Sequence, residues 1–564
     1  MFKQTNPQQN LFGVDTQLSE GLRTRLRASW AHLFKAEILP ILFECEDEFA
    51  ILYGKTGRPN FSVARVLALC LLQEYNDLSD QQALDTFGFD IRWRYALDVQ
   101  DDEAYLSRRS LVEFRRRLAT KDPEMTLVRG VFERISKSAI KKLGLSASQQ
   151  RLDSTLVVSN IRTRGRLDLF ANTITVFIRS LDKDRFPRIP KNIRHWFERE
   201  PQGWFGLPQD QHKAKLEQLA RYAHKLIVLF KSDKEITSSE QYELLVRLFQ
   251  EQCEIKGNSK KIKIRKKTKG ETLQSAFDPD ASYGHKGRGY SAHVTETCNN
   301  PKKTEIITDY EVHGAARSDK GKAPDIVDRL EAAGLKPKIL FADGGYPSVP
   351  SALKVEKNNV DFMAPVDRGP LSDEVMGRDQ FKFDKKGLVV KCPKGHKPLD
   401  HRILSHNNKK GKSLHAIFDG DTCRKCRVLD NCPVRAPNHR ARGCKARDTV
   451  GDFRLEITPE LRLRDQMYSK QQTTEWKEQY SIRSGVEATM SELKRSHGMG
   501  KLRVRRAPKV CFAVACKVIA CNIKRWAKAA AFALPFQRLR RLLVRRLEVL
   551  NANINKLPLA FVLS

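Results

Sequence analysis

Near residue 150 the hydrophobic period of the chain changes, and that change most constrains what it can fold into. Before it, "SVARVLALCLLQEYNDLSDQQALDTFG" and "LSRRSLVEFRRRL", within residues 62–120, carry apolar residues at helical spacing, the second with a cationic face. At 150 the chain reads "RLDSTLVVSNI", a short β-branched run that predicts a strand with Asp153 inside it. From about 165 to 255 helical spacing returns in "LEQLARYAHKLIVLFKSD" and "EQYELLVRLFQEQC". It closes with "KKIKIRKKTKG", expected to be a solvated linker, with phosphate contact as the secondary reading. Strand signals resume in "GYSAHVTET" and "KTEIITDYEVH", a helix follows in "APDIVDRLEAAG", and "KPKILFADGGYPS" and "VDFMAPV" read as further strands. About a hundred irregular residues rich in Cys, Lys, Gly and Pro precede a last helical stretch, "QYSIRSGVEATMSELKRSHGMGKLRVRR". The pattern predicts an α/β core behind an all-helical N-terminal domain.

At 564 residues the chain is long enough for two to four units with ample core. Its 102 Lys plus Arg against 67 Asp plus Glu give a net charge of +35, so a polyanion, nucleic acid first, is the expected partner. The opening "MFKQTNPQQNLFGVDTQ" lacks the apolar stretch of a secretory leader, and no apolar run approaches the roughly 18 residues of a membrane span. A cytoplasmic, nucleoid-associated location without membrane partners is expected. There the 12 cysteines would be reduced, and a clustered subset is better suited to metal than to disulfides.

Three carboxylates stand out. Asp153 lies within a β-branched run, where an ionised group is costly unless paired or bound to metal. Asp343 ends an apolar strand just before Gly344 and Gly345, at the strand end where α/β sheets open a crevice. Glu487 lies near Tyr480, Arg483 and Lys494, which at ~100° per residue fall within roughly 60° of arc on one helix face. Ile482, Val486, Met490 and Leu493 form the adjoining apolar stripe. The bland alternatives are strand-end turns for the aspartates and a solvated helix with an Arg483 to Glu487 pair. Two aspartates on strands and a later glutamate make an all-oxygen set suited to Mg²⁺ or Mn²⁺.

These residues carry a resemblance. Tyr480-x2-Arg-x3-Glu-x6-Lys494, taken with "LDSTLVVSN" and "LFADGGYPS", is similar to the DDE transposases of bacterial insertion sequences that bear a Tyr-Arg-Glu-Lys signature. "HGMGKLRVRRAPKVCFAVACKVIACNIKRWA" resembles the end of that family's catalytic domain. "GRPNFSVARVLALCLLQEYNDLSDQQALDTFGFDIRWRYAL" resembles its N-terminal helical domain, and the likeness spans roughly residues 40–525. The resemblance implies an RNase H-like fold, a mixed sheet with flanking helices, and Asp153, Asp343 and Glu487 as the metal-binding triad. It also implies metal-dependent cleavage of the element's ends and transfer of the freed 3′ hydroxyl to target DNA. Tyr480, Arg483 and Lys494 then become contacts to the phosphate and terminal nucleotides, a role their chemistry fits. Two rival readings are an RNase H-like nuclease without strand transfer and a catalytically disused DNA-binding repressor.

The resulting plan has a helical DNA-binding domain at 1–135 and the first part of the catalytic core at 145–366, with a helical insertion at about 165–275. A Cys-rich insertion at 367–470, completion of the core at 471–530 and a basic tail at 531–564 follow. A homodimer or higher oligomer on double-stranded DNA, at element ends and target, is expected. Arg115, Arg116 and Arg117 are candidate phosphate contacts or a solvated helix face, and Arg503 and Arg505 are candidates to follow a DNA backbone. "SYGHKGRGYSAHV" offers His285 and His293, and the next strand His313, as neighbours of the site. In the insertion, Cys423-x2-Cys426 has the spacing that lets two thiolates reach one structural Zn²⁺. Cys392 and Cys432 are candidates to close the site despite the irregular spacing to Cys432, His396 and Cys444 are alternates, and reduced thiols without a metal are the other reading.

Overall fold

The computed structural model describes residues 1–5, 13–100, 103–161, 165–199, 208–256, 261–301, 304–367, 375–405, 412–436 and 450–554, the last helix beyond residue 531 by its backbone alone. Two compact units divide it. The first comprises Met1–Ser146, Ser154–Arg317 and Glu487–Ser564, and the second Ala147–Asp153 and Ser318–Val486.

The first unit begins with helices. Val63–Tyr75 is started by Ser62, whose hydroxyl accepts the Arg65 N–H, and is buried almost continuously from Val63 to Gln73. Asp80–Phe89 starts from a reciprocal capping box between Ser79 and Gln82. Both Val63–Tyr75 and Thr126–Leu143 pack on the long helix Ala507–Ile554. Val514, Cys516, Val518, Ile519, Cys521 and Ile523 of that helix are almost fully buried, and so are Lys517 and Asn522, which find partners in Glu74 and the Ile307 carbonyl. Its first turns are therefore buried on most sides, as those of a central core helix must be. The basic segment from residue 536 to 550 continues this helix rather than starting a separate one.

A separate core serves the helical insertion, where Phe170, Phe177, Trp196, Leu226, Phe230 and Leu245 pack together from helices Arg166–Arg179, Lys191–Arg199, Gln209–Phe230 and Glu240–Gln252. The expected linker at its end is instead structured. Lys261–Ile264 pairs antiparallel with Cys253–Lys256, and Ile262 and Ile264 pack on the helical core. The reason is the period-two alternation of "KIKI", which puts both isoleucines on one face and leaves the lysines on the other. Gly287–Thr297 then pairs antiparallel with Ile307–Gly314 and with Ser282–Gly284.

The second unit is built on parallel pairing. Gln149–Leu152 aligns with Ile339–Ala342, which also pairs with Asp361–Met363, and helices Ala323–Ala332 and Val349–Lys357 complete this part. The strand Gln149–Val157 contributes residues to both units, because the division falls between Asp153 and Ser154. Parallel and antiparallel pairs with flanking helices behind a helical N-terminal region are compatible with the expected class.

The stretch expected to be irregular contains a three-stranded antiparallel sheet of Asp400–Ser405, Lys412–Phe418 and Phe453–Ile457, and a two-stranded ribbon of Lys382–Phe383 and Val389–Lys391. Its strands are short, and Phe453–Ile457 pairs with Lys412–Phe418 across a long stretch of intervening chain, so no local period announced them. Among the described residues no helix is long and apolar enough to cross a membrane.

Candidate active site

The parallel register places two carboxylates side by side. Leu152 is aligned with Ala342, so Asp153 and Asp343 each follow an aligned pair by one residue. Asp153 is buried at 9% exposure, whereas the Asp343 side chain is 40% exposed. The Asp343 carboxylate accepts the Gly345 N–H, which closes the turn after the strand.

One guanidinium reaches both acids. Arg483 Nη2 lies 2.9 Å from Asp153 Oδ2 and 3.8 Å from Asp343 Oδ2. A partly buried carboxylate without such a partner would pay a large desolvation cost, so this pairing is what lets Asp153 remain in the strand. Both acids offer hard oxygen donors from rigid backbone positions, a donor set that fits a divalent cation such as Mg²⁺ or Mn²⁺.

The segment bearing Arg483 corrects one expectation. Tyr480, Arg483, Glu487 and Lys494 do not lie on a single α-helix. Thr474–Tyr480 ends as an α-helix, Ser481–Gly485 is a 3₁₀ turn, and Val486–Ser496 starts a new helix. The single narrow face computed for a continuous α-helix therefore does not apply across residues 480–487. The cause lies in the neighbouring strand: Arg151 Nη1 donates to the Ile482 carbonyl at 3.0 Å. Its guanidinium occupies the space beside Gly485, where an added Cβ would come within 1.9 Å of Nη1. A side chain at 485 would expel Arg151, so glycine is required for this approach.

The 3₁₀ turn that starts after Tyr480 also helps bring Tyr480 and Arg483 to the end of the same strand, Ile339–Ala342. Residues three apart eclipse one another in this helix type. The Tyr480 hydroxyl donates to the Ala342 carbonyl at 3.0 Å, one residue before Asp343. The Trp476 ring stacks on Tyr480 with centroids 4.5 Å apart and planes 14° from parallel. Burial, reinforced by the two nearby aspartates, pushes the Tyr480 hydroxyl up to about 12, so it remains a donor at neutral pH.

Glu487 is exposed in the first turn of the next helix, and Lys494 is exposed further along it. Val486, Met490 and Leu493 are buried, as the apolar stripe predicts, whereas Ile482, in the 3₁₀ turn, is half-buried. The Thr489 hydroxyl donates to Glu296 at 2.6 Å, and Arg525 binds the same carboxylate at 2.8 Å, anchoring this helix within the first unit.

The cationic candidates divide by what they touch. Arg115 turns inward to Asp80, with Nη1 2.7 Å from Oδ1. Arg116 and Arg117 share Glu113 at 2.7 and 3.0 Å, and their hydrogen bonds hold its carboxyl at about 2. Arg503 donates to the Leu78 carbonyl at 2.7 Å, and Arg505 to the Asn160 carbonyl, so both also brace the loop that carries them. His293 and His313 form a buried pair with Nε2 atoms 2.6 Å apart, while His285 is exposed. Cys392, Cys423, Cys426, Cys432 and His396 line one cavity, and Cys444 lies outside the described residues.

Arg151, Trp476 and Gly485 were missed from sequence. Arg151 is two residues before Asp153 and so on the same strand face, and Trp476 is one helical turn before Tyr480. Gly485 inside a helical pattern was itself a break signal.

Residues 391–527 match the family model described as a transposase DDE domain, and residues 35–117 match one described as a transposase domain (DUF772). The first match includes the four cavity cysteines, Tyr480, Arg483, Glu487 and Lys494, and the second includes Arg115, Arg116 and Arg117. No curated protein and no solved structure matches the chain. A DDE transposase domain implies a nucleic-acid-processing enzyme that binds DNA and uses a divalent metal ion. Together the two matches support a DDE transposase family for this chain.

Proposed function

We propose that this chain is the transposase of an insertion sequence, with an RNase H-like core and a Tyr-Arg-Glu-Lys signature, that cuts the ends of its element and joins them to target DNA. The observation that carries the reading is the placement of Asp153 and Asp343, each one residue past an aligned pair of neighbouring parallel strands, under one guanidinium. Glu487, four residues beyond Arg483, is the third member of the carboxylate set. Asp153, Asp343 and Glu487 would hold divalent cations, Mg²⁺ in the first instance, which would supply charge stabilisation for the attacking and leaving oxygens of a phosphodiester displacement.

The chain's own residues do the rest. Asp153 and Asp343 are held on backbone that needs no rearrangement to present two oxygen donors. Arg483, already facing them, offers a planar guanidinium to a phosphate brought to the same place. Tyr480 and Trp476 form an aromatic pair beside the strand end, suited to stacking on an unpaired terminal base. Lys494 contributes charge to the DNA backbone. The net charge of +35 favours association with long DNA, and that association weakens with salt.

The test uses labelled DNA carrying the sequences that flank the gene, with Mg²⁺ and purified full-length protein. The expected products are cut ends and joined strands, both lost in Asp343→Asn while DNA binding is retained. Cutting without joining would support the nuclease reading instead. Binding with neither product would support the repressor reading.

A further inference from the structure

Cys392, Cys423, Cys426 and Cys432 take no part in the proposed DNA chemistry, yet three separate segments bring them to one cavity of about 260 Å³. The first segment is a tight turn in which the Cys392 N–H donates to the His396 carbonyl and the Gly395 N–H to the Cys392 carbonyl, each at 2.8 Å. Its closure needs φ of +88° at Gly395, a conformation open to glycine. In the second, the Asp419 carboxylate accepts the Thr422 N–H at 2.7 Å and starts the short helix Gly420–Lys425 that carries Cys423. The Cys426 N–H then turns back to the Cys423 carbonyl at 3.0 Å. In the third, the Cys432 N–H bonds the Leu429 carbonyl at 3.0 Å, and the backbone N–H of Val434 donates to the Cys432 sulfur.

The fold around the cavity is thinly supported. Phe381, Val389, Ala416, Phe418, Leu455 and Ile457 form one small core, and Leu429, Ala436 and Phe453 form another. Cys392, Cys423 and Cys432 pack against the first core, Cys423 and Cys426 against the second, so the thiols sit where the two meet. Domains with so few large buried side chains commonly need a metal or a disulfide to hold them. Burial pushes Cys423 up to about 12 and Cys432 up to about 11, and the neighbouring cysteines push the same way, as expected of thiols crowded together. Among the described residues no three of the four sulfurs gather within 4.8 Å, so capture of an ion would contract the pocket.

We propose that Cys392, Cys423, Cys426 and Cys432 bind one Zn²⁺-class cation as four thiolates, and that this ion staples the segment Met376–Ile457. Four converging thiols select a borderline-soft, tetrahedral ion over Mg²⁺. The staple reaches beyond the insertion. Arg378 donates to the Glu456 carbonyl at 2.9 Å and pairs with the fully buried Asp465 at 2.8 Å. Asp465 belongs to the helix Pro459–Gln471, and the separate helix Thr474–Tyr480 that follows leads to Arg483. Ordering of the insertion thus supports the segment that holds Arg483, although the metal site itself does not depend on the transposase reading.

The test starts from full-length protein purified without chelator, with metal content measured directly. After metal removal under reducing conditions, Co²⁺ serves as the probe through its thiolate charge-transfer absorption. One ion per chain is expected, displaced by Zn²⁺, with protection of residues 375–457 from limited proteolysis on binding. Cys423→Ser with Cys432→Ser should abolish the absorption, whereas Cys298→Ser, a buried cysteine elsewhere, should keep it. Absence of stoichiometric binding in the wild-type chain, or full binding by the double variant, would overturn the proposal. A chain that binds one ion but cuts no DNA would leave the zinc site standing and count against the transposase reading alone.

Discussion

The two clusters of ionisable side chains in the second unit solve opposite problems. Where the two parallel strands align, Asp153 and Asp343 meet Arg483, so the chain itself offsets part of their charge. Around the insertion cavity, thiols meet one another, and burial first, then their neighbours, raises the proton affinities of Cys423 and Cys432. A site partly neutralised from within can fold first and recruit a cation later. A site made of like groups is incomplete until something binds.

That contrast can be broken most forcefully at the acids. Asp153→Asn should lower end cleavage by about 10³-fold or more, roughly 4 kcal/mol of barrier, with little loss of protein stability. A cleavage time course with a parallel DNA-binding measurement checks it, and unchanged cleavage would detach this strand from the chemistry. Next in size is Asp465→Ala, which strands the buried Arg378 and should cost roughly 3–5 kcal/mol in denaturant unfolding. Gly485→Ala should cost about 1–3 kcal/mol by forcing Arg151 away, and it should slow cleavage while DNA affinity stays the same. The smallest effect sharpens the thiol side. Both thiols lie above their ordinary 9.0, so stability that depends on their protons is intact below about 9 and lost as pH rises toward 11 and 12. Melting curves of metal-free protein should show that decline, and metal-loaded protein, whose thiolates are already ionised, should show much less.

The strands at the site were legible in the sequence because a β-branched run contains Asp153 and an apolar run ends just before Asp343. The stripe of Val486, Met490 and Leu493 was legible for the same reason, since local period records local burial. The break at Ser481–Gly485 was not, because its cause, Arg151 on the Ile482 carbonyl, lies more than three hundred residues away in sequence. Gly485 alone hinted at it. The insertion's sheet escaped notice because its pairing joins short segments across intervening chain, such as Lys412–Phe418 with Phe453–Ile457. Arg115 was visible as a cation but not as the partner of Asp80, a pairing that only the packing of two helices creates.

The most direct test of the central claim compares wild-type protein with Glu487→Gln in Mg²⁺-dependent end cleavage and strand transfer on the same labelled DNA. The account predicts cut and joined products from the wild type, and from the variant a stable DNA complex with neither. Cleavage by Glu487→Gln at the wild-type rate would contradict it and remove Glu487 from the reaction centre.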